Sequence, residues 1–228
     1  MKKNILMMMM IILGGLTFAN AQIGEKPANG KPSVAEQQVN TLSLAYENAR
    51  YGRETKSADA LIVAARILRS IPVDKLTAEP KTSGGSPDSS KKTTTSDMTY
   101  ESILADAKKL AGKDKVLLGQ IAKIEKMSPP TRGATGGPKR GVYNIPANST
   151  VTMEITFRGG EDAAIIASGD GDTDLDLFVY DSDGTLVRSD IDYTDQCTAT
   201  FFVPSTRTIT VKIRNNGSIY NHTVIVTN

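Results

Sequence analysis

Across residues 128–141 (SPPTRGATGGPKRG) the hydrophobic period of this chain changes, and the change constrains its architecture more than any other feature. Before it, apolar residues recur at three- and four-residue steps, the spacing of one helix face. After it they alternate every second residue, the spacing of a half-buried strand. A Pro/Gly-rich stretch between two such periods reads as a linker.

In the first part, Ser33 and Glu36 have the spacing of a capping box, in which each side chain meets the other's backbone N–H. Ala35, Val39, Leu42, Tyr46 and Ala49 then fall on one face, and Gly52 offers a stop. Ser57 to Ser70 predicts a second helix carrying Leu61, Ile62, Ala65, Ile67 and Leu68, ended by Pro72. The short gap between the two predicts an antiparallel hairpin. Residues 80–97 (PKTSGGSPDSSKKTTTSD) have no apolar group to bury, so a disordered loop is expected there. Helical spacing resumes near Met98 with Ile103, Leu104, Ala107 and Leu110, then Val116, Leu117, Ile121, Ile124 and Met127. This stretch reads as a second hairpin or as one long helix kinked near Gly112. Four such helices make a small bundle. A tetratricopeptide-like array would need a period of about 34 residues and its signature positions, which are absent.

In the second part Val151, Met153, Ile155 and Phe157 alternate, as do Leu175, Leu177 and Val179, then Ile209, Val211 and Ile213, then Val224 and Val226. Asp183-Gly184 and Asn216-Gly217 lie between runs, where hairpin turns need positive φ. Seven or eight short strands in this span predict a β-sandwich of jelly-roll or immunoglobulin-like size.

The chain opens with the three parts of a secretory signal. Lys2 and Lys3 give a positive start, Ile5 to Ala19 is uncharged and largely apolar, and Ala19-Asn20-Ala21 is a small-x-small cleavage site. Residues 1–21 are thus expected to be removed, with Gln22 as the mature start and residues 22–32 as a flexible leader. The apolar run falls short of the roughly 20 residues a membrane helix needs. No later segment is long and apolar enough to span a bilayer, so the expected location is the periplasm, the cell surface or the medium.

Charge is divided between the two parts. Residues 22–139 carry 19 Lys plus Arg against 13 Asp plus Glu, whereas residues 140–228 carry 6 against 12. Opposite signs fit two regions that attract each other or face different partners. Cys197 is the only cysteine, so no intrachain disulfide forms, and its apolar surroundings mark it as a small buried hydrophobe.

The run Asp174-Leu175-Asp176-Leu177-Phe178-Val179-Tyr180-Asp181, then Phe202-Val203-Pro204 leading into Thr208 to Ile213, and Tyr220 opening the last strand, resembles the bacterial pre-peptidase C-terminal (PPC) domain. The resemblance covers about residues 140–228. Arg207 stands near a place where that family usually carries Gly. The resemblance implies a β-sandwich attached to an exported protein, with a role in secretion, folding or attachment. Related modules bind extracellular polymers.

The strongest chemical feature is acidic: Asp170, Asp172, Asp174 and Asp176, followed by Asp181, Asp183, Asp190, Asp192 and Asp195, with Arg188 the one basic residue among them. Two readings stand side by side. Hard oxygen ligands crowded in one loop suit Ca²⁺, with Asp170, Asp172, Asp174 and Asp176 as its ligands. Alternatively the first two occupy a solvated turn while Asp174 and Asp176 face water from a half-buried strand. The spacing is not that of an EF-hand, because Leu175 falls where the loop needs Gly. Phe178 and Tyr180 share the strand face of Asp174 and Asp176, which makes that face the candidate binding surface. Tyr143, Tyr193 and Tyr220 are further rings able to stack on sugars.

Catalytic patterns are missing from the sequence. His222 is the only histidine, and neither H-E-x-x-H nor G-x-S-x-G occurs. The lysines at 108, 109, 113 and 115 are interrupted by Asp114 and hold no aromatic, so they read as a solvated helix face rather than a nucleic-acid site. The expected fold is α+β with two domains: a helical domain over 33–127, the linker 128–141, and a PPC-like sandwich over 142–228. The expected function is that of an exported, non-enzymatic binding or accessory module for a protein or a glycan, with Ca²⁺ as its possible cofactor. A self-associating envelope protein, a homo-oligomer, is the alternative. A hydrolase or its accessory comes third.

Overall fold

The structure, a computed structural model, describes residues 23–24, 32–85, 98–128 and 137–228. The expected signal segment, most of the leader and most of the linker lie outside these residues. Helix α1 (Val34–Glu54) begins as the capping box requires: Glu36 N–H donates to Ser33 Oγ at 3.0 Å, and Ser33 N–H to Glu36 Oε2 at 3.2 Å. It does not stop at Gly52. A Cβ there would lie 2.8 Å from the side chain of Leu61, so this glycine lets two helices approach rather than ending one. Helix α2 (Ala58–Ser70), capped by Ser57, returns antiparallel to α1. Helices α3 (Tyr100–Ala111) and α4 (Lys115–Glu125) are separate, because Gly112 turns to φ +56° and Asp114 caps α4.

Between α2 and α3 the chain makes two short strands, β1 (Asp74–Lys75) and β2 (Lys81–Gly84). Eight more come after α4: β3 (Lys139–Ile145), β4 (Ser149–Phe157), β5 (Glu161–Ser168), β6 (Leu175–Tyr180), β7 (Leu186–Asp190), β8 (Gln196–Val203), β9 (Arg207–Asn215) and β10 (Asn221–Thr227). Sheet A runs β1-β3-β10-β5-β8, and sheet B runs β2-β4-β9-β6-β7. All neighbours pair antiparallel except β1 with β3.

The alternating residues fill the space between the sheets. Val151, Met153, Ile155 and Phe157 meet Leu175, Leu177, Val179, Ile209, Val211 and Ile213 from sheet B, with Ile165, Cys197, Phe201 and Ile225 from sheet A. A second apolar cluster joins the helices to the sandwich. Leu42, Tyr46, Leu61, Ile103 and Ile121 pack with Ala164 and Ile166 of β5 and Val224 and Val226 of β10. These two strands are buried on both faces, which is why they read as the unbroken runs Ala163–Ala167 and Val224–Val226. The result is three layers, helices on sheet A on sheet B.

Three local expectations are corrected. Residues 80–97 are not all loop: Lys81–Gly84 pairs with Ser149–Thr152 as an edge strand, while 86–97 lie outside the described residues. An edge strand with both faces in water needs only backbone partners, so its lack of apolar side chains does not prevent it. The linker ends earlier than expected, because Lys139, Arg140 and Gly141 already belong to β3. Finally, Asn216-Gly217 is no hairpin. β9 lies in sheet B and β10 in sheet A, so this loop crosses the sandwich, and a Cβ on Gly217 would meet Thr173 at 2.2 Å.

Candidate functional site

Strand β6 buries Leu175, Leu177 and Val179 and turns Asp176, Phe178 and Tyr180 to the outer face of sheet B. The register extends this face across three strands. Phe178 pairs with Lys212 of β9, which pairs with Thr152 of β4; Tyr180 pairs with Thr210, which pairs with Glu154. Asp176 pairs with Arg214, and Arg214 with Thr150. Strands at about 4.8 Å spacing thus present two rings beside hydroxyl, ammonium, guanidinium and carboxylate groups on one face. These outward side chains are half-buried or exposed. The Lys212 ammonium lies 4.8 Å from the Tyr180 ring centroid, near enough for cation–π attraction to hold both side chains.

The sequence placed Asp176, Phe178 and Tyr180 on one face by parity alone, and they share it here. Lys212, Arg214 and the threonines escaped that reading, although the same parity along β9 and β4 points them outward. Which strand neighbours β6 is a tertiary fact.

The four aspartates at 170–176 are not brought together as a calcium cage. Asp170 is buried and accepts the His222 backbone N–H at 3.0 Å, whereas Asp172 is exposed. Asp174 and Asp176 do meet, but over one donor: Asn216 Nδ2 lies 3.0 Å from Asp174 Oδ2 and 2.9 Å from Asp176 Oδ2. The other Asp174 oxygen, Oδ1, is buried and makes no hydrogen bond among the described residues. No group of three or more His, Cys, Asp or Glu side chains among the described residues is arranged to hold a metal ion.

Side-chain and backbone donors tie the loop end of the sandwich together. Asp195 accepts from Arg50 of α1 at 2.7 Å and from the Gly171 backbone N–H, while its carbonyl accepts from Gly169 N–H at 2.7 Å. Asn221 donates to Thr173 Oγ1 at 2.9 Å and accepts from Thr223. Beside this network, Tyr193 is 96% exposed on the rim of a polar cleft of about 440 Å³ shared with Arg50, Asp172 and Asp174. Asp183 lies in the β6–β7 turn, where the Thr185 N–H at 2.9 Å holds its carboxyl below the usual range. Arg207, at the start of β9, is held by Asp181 at 3.0 Å, with both side chains largely buried. Tyr143 donates its hydroxyl to the Ala78 carbonyl at 3.1 Å, and Tyr220 is half-buried.

Cys197 and His222 do not form a nucleophile and base. Cys197 points between the sheets and donates to the Leu175 carbonyl at 3.1 Å, and burial raises its pKa strongly. His222 shares the parity of Val224 and Val226, on the opposite face of sheet A, where its Nδ1 lies 2.7 Å from Asn144 Oδ1.

No protein-family model matches this chain, and no curated protein matches it. Solved structures resemble part of it. One is PliG of Aeromonas hydrophila, a periplasmic inhibitor of g-type lysozyme, at 10% identity over 43% of this chain and 91% of that one, TM-score 0.29. Two are CBM6 carbohydrate-binding modules. The C-terminal module of the laminarinase LamC from Zobellia galactanivorans has 12% identity over 39% of this chain and 90% of that one, TM-score 0.24. The module from Cellvibrio mixtus lichenase 5A, in complex with cellotriose, has 12% identity over 42% of this chain and 89% of that one, TM-score 0.25. At these values the function has to be argued from the residues of this chain.

Proposed function

We propose that this protein is an exported, non-enzymatic binding module that engages a glycan on the outer face of sheet B. One observation carries the reading. The helices pack on β5 and β10 at the outer face of sheet A, while the outer face of sheet B, free of helices, sets Phe178 and Tyr180 in line with Asp176, Lys212, Arg214 and a band of threonines. Aromatic rings supply apolar faces for sugar rings, and the flanking charges and hydroxyls suit sugar hydroxyls as donors and acceptors. A face whose outward side chains repeat every two residues matches a chain ligand better than a small molecule. The PPC resemblance and the signal segment belong to the same proposal, because both concern proteins that work outside the cytoplasm.

Affinity electrophoresis against a panel of soluble polysaccharides tests it. Retardation by at least one glycan, lost in Phe178→Ala/Tyr180→Ala and kept in Tyr193→Ala, is the expected result. No retardation across the panel, or equal retardation of the double variant, overturns the assignment. N-terminal sequencing of protein recovered from the periplasm or medium of an expressing bacterium checks export, with Gln22 as the expected first residue.

Self-association is a second reading, favoured by Leu44 and Tyr51, which stand 49% and 58% exposed one heptad apart on α1. Sedimentation at several concentrations separates it: a stable dimer lost in Leu44→Lys/Tyr51→Lys supports it, and a monomer at all concentrations removes it.

A further inference from the structure

A cavity of about 300 Å³ opens where α1, α2, the start of α3 and the start of β3 meet, away from both faces described above. Its walls are apolar where Leu42, Leu68, Ile71 and Met98 line it, yet two guanidinium groups also face it, Arg69 and Arg140. Both are half-buried and held by neutral partners. Arg140 donates through Nε to the Tyr46 hydroxyl at 3.0 Å and through Nη2 to the Met98 carbonyl at 3.2 Å. Arg69 donates through Nε to the Met127 carbonyl at 3.1 Å and stands 5.1 Å from the centre of the Tyr100 ring.

Neither arginine is in an ion pair with a described residue, and Glu101, exposed at the mouth, bridges to neither. This differs from Arg50, Arg53 and Arg207, each of which has an aspartate within 3.0 Å. Two cations with no acidic partner among the described residues, set beside apolar walls, are costly to maintain, and an anion placed between them is the chemical complement. Their planar donors remain only partly used, and a carboxylate offers two oxygens in the geometry that guanidinium groups match. The apolar walls ask for something more than a bare ion.

We propose that this cavity binds a small amphiphile, one carboxylate on an apolar body, with the head on Arg69 and Arg140 and the body against Leu42, Leu68, Ile71 and Met98. The site is independent of the glycan face. Its contents rest on α1, α2 and β3, so a bound ligand bridges the helical layer and the sandwich.

Isothermal titration of the purified protein with decanoate below its micelle concentration tests the proposal, with 1-decanol and acetate as controls. One decanoate per chain is expected, at least tenfold tighter than decanol, and no measurable acetate binding. Arg69→Met and Arg140→Met should each weaken decanoate at least tenfold while changing decanol less than twofold. Leu68→Trp, which fills the cavity, should abolish both. Where Arg140→Met fails to fold through loss of its Tyr46 and Met98 contacts, Arg69→Gln decides alone. Decanoate binding no tighter than decanol, binding unchanged in the arginine variants, or no binding at millimolar decanoate overturns the assignment.

Discussion

Arg50 on α1 and Asp195 before β8 form an ion pair of 2.7 Å that fastens the helical layer to the loop end of the sandwich. The carboxylate is almost fully buried at 5% exposure, while the guanidinium keeps 30%. The same carboxylate holds the Gly171 N–H, and the next residue, Gln196, reaches Ser43 and Glu47 on the same helix. Helix and loops are therefore fixed by one polar seam.

Removing one partner of such a pair strands the other in a poor solvent. Arg50→Ala is expected to cost about 2–3 kcal/mol, because the Gly171 N–H still compensates part of the Asp195 charge. Urea unfolding at pH 7 measures it. A cost below about 0.5 kcal/mol would mean that water replaces the guanidinium without loss.

The two faces of β6 should respond differently to truncation. Leu177→Ala, in the fully buried inter-sheet core, should cost about 2–5 kcal/mol. Phe178→Ala, one residue on and facing out, should cost about 1 kcal/mol or less. Denaturant midpoints of the two variants check the register directly.

Asn216 bridges Asp174 and Asp176 through its Nδ2. Asn216→Ala should therefore lower stability by about 1–2 kcal/mol. In the unaltered protein, EDTA followed by millimolar Ca²⁺ should leave the melting temperature unchanged within about 1 °C, whereas binding at a hundredfold excess over Kd would add about 2.7 kcal/mol. A Ca²⁺-specific rise, absent with Mg²⁺, would restore these aspartates as ligands.

Burial raises the pKa of the Cys197 thiol and of the Tyr46 hydroxyl, the latter against the pull of Arg140. Both groups stay protonated in the folded protein at pH values where the unfolded chain, with ordinary values of 9.0 and 10.0, gives its protons up. The folded state then binds more protons, so stability falls as pH rises. Thermal melts should be level from pH 7 to about 8.5 and decline steadily above about pH 9. At pH 8, an aromatic disulfide reagent should leave Cys197 untouched until denaturant is added, because the thiolate is the reactive form.

Periodicity and capping are local properties, and they were readable before any fold was known. Ser33 and Glu36 start α1, and alternation puts Leu177 inside and Phe178 outside. Some local signals misled for an equally physical reason. Gly52 reads as a stop but serves helix packing, and Asn216-Gly217 reads as a hairpin but carries the chain between sheets.

By itself, then, the sequence determined a helical part followed by a sandwich, and which side of each strand meets water. Only the tertiary structure decided that the helices pack on β5 and β10 of sheet A and not on sheet B, that Lys212 and Arg214 flank Phe178, and that Asn216 stands between two aspartates. It also decided that Arg50 finds Asp195, 145 residues away. Secondary structure follows from neighbours within about one helical turn or strand pair, whereas a charge's partner depends on which distant surfaces the apolar clusters bring together.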